Sequence, residues 1–318
     1  MKAKDVSKLA RKLYIEIEEN GINRVKGLFS KGETLSQELK FDVNEEYLKK
    51  MIMSQLDIGR MLMSHKYRKM LKEETLEDSY VKKVREMIRE KIAENPEDHS
   101  IAYRDTHSAL EKGVEEYESI KDIEDIARMI LKSLSVEEDK PINIEEVCNR
   151  FRSEMKSTIG STKNGIEYRK KQVTIGSESG ISNRPVIHTI PFEKVPEAIK
   201  NLQIEYEKAY NSSQPEEEYV KQIAKIYADF IFIQPYEDGN KRTAMCLFNS
   251  MLMSKGIVPP PISLINDDQM VKAYYNAHEK DYEMLQSVVT EKYREMLKSG
   301  AQNREETKRE ESSKDIEK

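Results

Sequence analysis

The chain has 318 residues, 37% hydrophobic and 35% charged, with a formal net charge of −5, a balance that favours long solvated helices over a thick sheet core. Basic and acidic residues alternate throughout, which argues against a broad basic face for nucleic acid. Only Cys148 and Cys246 are present, which argues against a disulfide framework and for a reducing compartment, and no apolar run approaches the ~18 residues that a membrane span needs.

The opening Met1-Lys2-Ala3-Lys4-Asp5 leads into an amphipathic helix, not an apolar signal core. The expectation is a cytoplasmic protein without membrane contact, although a translocated protein with an unrecognisable signal would look the same. Residues 5–20 place Val6, Leu9, Ala10, Leu13, Tyr14 and Ile17 on one helical face, with Gly21 as a stop. A second helix begins near Asn44, with Leu48, Ile52, Leu56 and Met63 along one side. Val81, Val84, Met87, Ile88 and Ile92 continue the pattern to Pro96. The methionines Met51, Met53, Met61 and Met63 suit a pliable partner surface, but helix packing accounts for them more simply. Residues 1–97 thus read as an all-helical N-terminal extension with no chemistry of its own.

Helices continue beyond it. His107, Leu110 and Glu111 lie in one; Ile123, Ile126, Met129 and Ile130 mark the next. Ile144, Val147, Cys148 and Phe151 mark a third, started by Pro141 and Asn143. Gly160 and Gly165 break the pattern, and the period changes from helical to alternating. Tyr168, Arg169, Gln172, Val173, Thr174 and Ile175 read as a short strand or hairpin. A polar loop follows to Pro191, and Pro196 opens a helix through Ile199, Leu202 and Tyr206. Ser213-Gln214-Pro215-Glu216 has the form of a capping box with Pro in the first turn. The helix behind it carries Val220, Ile223, Ala224, Tyr227 and Ile231 and ends at Gln234-Pro235, because Pro disfavours helix geometry in the residue before it. Ala244, Leu247, Phe248, Met251 and Leu252 define the next helix, closed by Gly256 and Pro259-Pro260-Pro261. A last helical region spans 267–297. The tail from 298 to 318 has too few apolar residues to offset its ordering entropy and is expected to be disordered.

Ile233-Gln234-Pro235-Tyr236-Glu237-Asp238-Gly239-Asn240-Lys241-Arg242-Thr243, between two helices, concentrates groups suited to phosphate. Asp238 is a hard-oxygen ligand of the kind Mg²⁺ takes. Gly239 permits a sharp turn. Asn240, Lys241 and Arg242 open a helix whose N-terminus is an anion site. A polar turn with two surplus basic residues is the plainer alternative. The remaining histidines His65, His99, His188 and His278 have no metal-site spacing; His188, after the hairpin, is the one placed to act as a remote base.

This helix–loop–helix resembles the Fic/Doc (Fido) family, whose motif reads His-x-Phe-x-Asp/Glu-Gly-Asn-Gly/Lys-Arg. The matching positions are Gln234, Tyr236, Asp238, Gly239, Asn240, Lys241 and Arg242. The segment Gly165-Ile166-Glu167-Tyr168-Arg169 with Gln172-Val173-Thr174-Ile175 looks like the family's flap, which docks a target segment by strand addition. Tyr274-Tyr275 match aromatic positions beside the nucleotide base. The resemblance covers residues 120–297 and implies a mostly α Fic-like helical bundle over 98–297, with a short β-hairpin flap. It also implies a transferase that moves a phosphate-containing group, AMP from ATP in the first instance, to a protein Ser, Thr or Tyr hydroxyl with Mg²⁺. Gly239, Asn240, Lys241 and Arg242 would hold phosphate, Tyr274 and Tyr275 the base, Asp238 the metal, and Tyr168, Arg169, Val173 and Ile175 the target.

Three positions depart from the family pattern. Gln234 replaces the His that takes the proton from the attacking hydroxyl; a neutral amide cannot do so near pH 7. Lys241 replaces a glycine, as in the Doc branch, which transfers phosphate alone. Met245 replaces the second Arg of adenylyl-transferring members. His107-Ser108-Ala109-Leu110-Glu111-Lys112 loosely resembles the family's inhibitory helix, but Met245 cannot pair with Glu111, which reads as an ordinary exposed acid. The expectation is a transferase with weakened or altered chemistry; the alternatives are a catalytically inactive nucleotide- or protein-binding protein and a Doc-like phosphotransferase.

Overall fold

The computed structural model describes residues 2–20, 47–48, 51–52, 54, 120–136, 139–153, 167–175, 187–237, 239–262 and 268–298, and the structural statements below concern these residues. The readings placed on Leu56, Met53, Met61 and Met63, on Val81 to Ile92, on His65, His99, His107 and Glu111, on Gly160 to Ile166, on Asp238 and on the tail lie outside them.

Helix α1 (Ala3–Asn20) forms where the sequence periodicity places it. Its stripe Val6, Leu9, Ala10, Leu13 and Ile17 is buried against α2 (Ile120–Ser133), which returns Ile126, Met129 and Ile130. At the rim Arg128 pairs with Glu18 at 3.1 Å and Arg11 donates to the Ser135 carbonyl at 3.1 Å. Met51 and Ile52 are buried, and the Tyr47 hydroxyl reaches the Pro259 carbonyl at 2.7 Å.

Helix α3 (Ile144–Arg152) begins as expected at Asn143, whose side chain accepts from the Glu146 N–H at 2.9 Å. A small antiparallel hairpin follows. Strand β1 (Thr174–Ile175) pairs with β2 (Ile187–His188) in the register Thr174 to His188 and Ile175 to Ile187. Residues 168–173 approach it without joining the ladder, so the regular strand is shorter than the alternating pattern suggested. A 3₁₀ turn (Phe192–Lys194) leads into α4 (Val195–Asn211), with Pro196 in its first turn.

Helix α5 (Glu216–Ile233) packs between α4 and α6 (Asn240–Ser254). The capping box expected at Ser213 does not form: Pro215 is the N-cap residue, with no side-chain cap. Gln214 instead turns back to the Ala209 carbonyl at 3.3 Å and to Gln222 at 3.1 Å, and the acidic first turn Glu216–Glu217–Glu218 complements the helix dipole. Helix α6 is the axis of the core, buried at every residue from Thr243 to Ser254. It ends with Gly256 at φ 74, whose N–H and that of Ile257 return to Met253 and Leu252. The last helical region divides at Lys280 (φ 65) into α7 (Asp268–His278) and α8 (residues 283–298). The described part is therefore mostly α with one two-stranded sheet, as expected, and none of its helices is long and apolar enough to cross a membrane.

An axial helix that carries polar residues must satisfy them internally. Toward α2, Asn249 Nδ2 donates to Ser133 Oγ at 3.1 Å, Ser250 Oγ to the Ser133 carbonyl at 3.2 Å, and Cys246 Sγ approaches the Met129 carbonyl at 3.8 Å. At the far end, Tyr206 Oη lies 3.0 Å from Ser254 Oγ and accepts from the Ile142 N–H at 3.2 Å, while Tyr219 donates to the Met251 carbonyl at 3.0 Å. Tyr206→Phe strips the buried Ile142 N–H of its acceptor. It should lower the unfolding free energy by about 1–3 kcal/mol, read as a lower urea midpoint at unchanged slope.

Candidate active site

The loop between α5 and α6 starts from a helix stop. Pro235 blocks continuation, and Gln234 takes a left-handed backbone (φ 47, ψ 63), its N–H shared between the Phe230 and Ile231 carbonyls. A non-glycine residue is strained there. Its side chain offsets part of that strain, since Gln234 Nε2 donates to the Ile231 carbonyl at 2.8 Å. At the other end Gly239 is left-handed at φ 77, a conformation glycine takes without steric cost, and Asn240 begins α6.

Asn240 holds the two ends together. It is 4% exposed. Its Oδ1 accepts the Tyr236 N–H at 2.9 Å, and its Nδ2 donates to the Tyr236 carbonyl and to Gln234 Oε1, each at 2.8 Å. Both amide protons are thus engaged within the loop. Asn240 is the first residue of α6, and the positive end of a helix dipole in general favours an anion. Lys241 is exposed and Arg242 half-buried on that turn. Asp238, the expected metal ligand, lies outside the described residues, which contain no group of three or more His, Cys, Asp or Glu able to hold a metal.

Helix α3 supports the loop from behind. Arg152, 6% exposed, stacks its guanidinium 3.7 Å from the centre of the Tyr236 ring and reaches Thr243 Oγ1 at 3.5 Å. Thr243 Oγ1 donates in turn to the Gly239 carbonyl at 3.0 Å. Sequence reasoning passed over Arg152, yet its register was available: it lies four residues beyond Cys148 and eight beyond Ile144, on the apolar face of α3. Below the same ring, burial pushes the Cys148 thiol up to about 12, opposed by its hydrogen bond with Tyr236 and by the Arg152 charge. Burial likewise raises the Tyr236 hydroxyl.

The hairpin meets the loop through Arg169. This residue, which the resemblance assigns to the target-docking flap, is 3% exposed, and its guanidinium turns inward. Its main-chain N–H donates to the Pro235 carbonyl at 2.8 Å, and its guanidinium to the carbonyls of Gln234 (2.7 Å), Lys171 (3.0 Å), Ile233 (3.3 Å) and Ile190. Tyr168 packs on Tyr236 with ring centres 5.9 Å apart. Ile175 is buried, Val173 half-buried, and His188 exposed on β2 opposite Thr174. An exposed ion pair, Lys171 with Glu237 at 3.1 Å, adds a second link.

Tyr274 is 3% exposed and stacks on Phe232 of α5, 4.6 Å between centres at 18°. Its hydroxyl has no hydrogen-bond partner among the described residues, and Tyr275 meets it edge-on at 5.6 Å, half-buried. The pair therefore flanks the last turn of α5, with Tyr275 the more accessible ring. Met245 is buried in the core.

The model of the Fic/DOC family matches residues 70–252. Among solved structures, the chain is similar to a Fic family protein from Desulfovibrio desulfuricans G20, with 15% identity, 80% of this chain and 74% of that chain covered, and a TM-score of 0.46. Comparison with curated proteins finds no match.

Two outcomes follow from the geometry. Asn240→Ala removes three loop hydrogen bonds and leaves the buried Tyr236 N–H unpaired, so unfolding free energy should fall by about 1–3 kcal/mol without any ligand; an Asn that served ligand contact alone would leave the urea midpoint unchanged. Cys148 should resist alkylation at pH 8 in the folded protein and react once unfolded. Because folding raises this thiol from an ordinary value of about 9 to about 12, the unfolded chain loses its proton first. The Cys148 contribution to stability is complete below pH 9 and falls as pH rises toward 12, measurable as a drop in urea midpoint that Cys148→Ala reduces.

Proposed function

The chain belongs to the Fic/DOC family, and on that premise we propose that it transfers a phosphate-containing group, AMP from ATP in the first instance, to a protein hydroxyl with chemistry weakened at Gln234. The observation that carries the reading is the braced loop itself. Asn240 and Gly239 fix the N-terminus of α6 with Lys241 and Arg242 on its first turn, an arrangement suited to holding phosphate oxygens. Asp238 supplies the carboxylate for Mg²⁺, which commonly binds through one or two protein oxygens and the phosphates. Tyr275, beside Tyr274, offers a ring for the base.

Gln234 sets the rate. Its Nε2 is held by the Ile231 carbonyl and its Oε1 by Asn240, so the side chain is a tie within the loop as well as a poor base. The absence of a general base costs ~10²–10⁴-fold. A His at this position would meet no new backbone penalty, since histidine is among the residues enriched in the left-handed region. The same two hydrogen bonds favour a second reading, a protein that binds nucleotide or a partner without turnover. Lys241, which adds a bulky cation at the phosphate site, supports phosphate transfer in the manner of the Doc branch.

The protein and its Gln234→His variant should be incubated with a cell lysate, Mg²⁺ and ATP labelled at the α or the γ phosphate. Label from the α position on protein, increased about 10²–10⁴-fold by Gln234→His, is expected. Label from the γ position alone would establish phosphotransfer instead. Transfer by the variant with none by the natural chain would leave the binding reading, for which calorimetry should show nucleotide affinity that Arg242→Ala abolishes.

A further inference from the structure

Arg169 combines features that a surface docking residue does not need. It is 3% exposed, and every partner of its guanidinium is a carbonyl oxygen. Burial is the larger effect on it and lowers the guanidinium from its ordinary value, opposed by the Glu193 charge acting through space. A charge buried at this cost contributes little as plain stabilisation, and apolar packing often replaces such groups without loss. Its partners fall into two sets. Ile233, Gln234 and, through the main chain, Pro235 belong to the end of α5 and the start of the motif loop. Lys171 and Ile190 belong to the two legs of the hairpin. The carbonyls at the C-terminus of α5 favour a cation there, and a planar five-donor fork is the group able to address several fixed acceptors at once.

We propose that Arg169 is a positioning residue that sets the hairpin and the motif loop in one rigid frame, so that a target segment on the hairpin and a phosphate at the N-terminus of α6 are held in a fixed mutual position. This rests on the transfer reading above, in which the two must meet. The hairpin legs and the loop then open as one unit, and no motion of one leaves the other in place.

Native-state hydrogen exchange of the unmutated protein tests this directly. The Arg169 N–H (bonded to Pro235), the Tyr236 N–H (bonded to Asn240) and the β1–β2 ladder amides should share one opening free energy and one denaturant slope. Separate slopes for hairpin and loop would overturn the proposal, whether or not any variant folds. Arg169→Lys keeps the charge but loses the fork. It should accelerate exchange in both segments by at least about tenfold, the effect of losing a hydrogen bond to a charged group, with the middle of α5 unchanged. Acceleration in one segment alone, or in neither, would also overturn it. In the Gln234→His background, Arg169→Lys should lower kcat for transfer to protein while nucleotide affinity measured by calorimetry stays within about twofold, a split that general destabilisation does not produce. Absence of transfer or nucleotide binding in every variant defeats the transfer reading instead, and leaves the exchange result to decide whether hairpin and loop are one body.

Discussion

The buried amide of Asn240 is the constraint on which the site depends. With three hydrogen bonds it fixes Gln234 and Tyr236 relative to the first residue of α6, so a turn between two helices becomes a rigid cradle. Thr243 extends the same arrangement by closing on the Gly239 carbonyl. The motif asparagine thus acts through architecture, since both ends of its side-chain amide are engaged in holding the loop together.

Two buried guanidinium groups bracket this cradle in opposite electrostatic senses. Arg169 sits against the carbonyl end of α5, where the helix dipole favours a cation. Arg152 lies near the amide end of α6, where the dipole opposes one, and draws compensation from the face of Tyr236 and from Thr243. Lys241 and Arg242 stand on the first turn of the same helix, Lys241 exposed and Arg242 half-buried.

What the sequence made legible was local. The Asn143 cap, the stop at Gln234-Pro235, the apolar face of α5 and the start of α6 after Gly239 each follow from residues within one or two turns, and each is present. The unformed cap at Ser213 shows the limit of such signals. Gln214 found better partners at the end of α4 and across the first turns of α5, which shifted the helix start by two residues. Lys280 likewise divides a helical pattern that periodicity ran together. Arg169 was legible as part of a hairpin and illegible as a clamp, because its acceptors are carbonyls up to 65 positions away in the chain. Backbone carbonyls carry no residue-type signature. Arg152 was legible in position but not in kind, since a charged residue on an apolar face reads as an interruption until an aromatic ring is found beside it. The stack of Tyr274 on Phe232 was not legible either, because it depends on how α7 is rotated against α5.

The polar seam between α6 and α2 has a consequence at the opposite end of its helix. Successive residues of an α-helix are about 100° apart around the axis. A slip of one position would carry Asn249 and Ser250 away from Ser133 and set them against the apolar walls that enclose the rest of α6, with their donors unmet. That penalty fixes the azimuth of the whole rod. Asn240 lies roughly 13 Å further along it at 1.5 Å per residue, and the bearing of Asn240, Lys241 and Arg242 around the axis is set by the same angular lock. In this molecule the aim of the motif end of α6 is determined in part at the middle of the core, by a serine on the neighbouring helix.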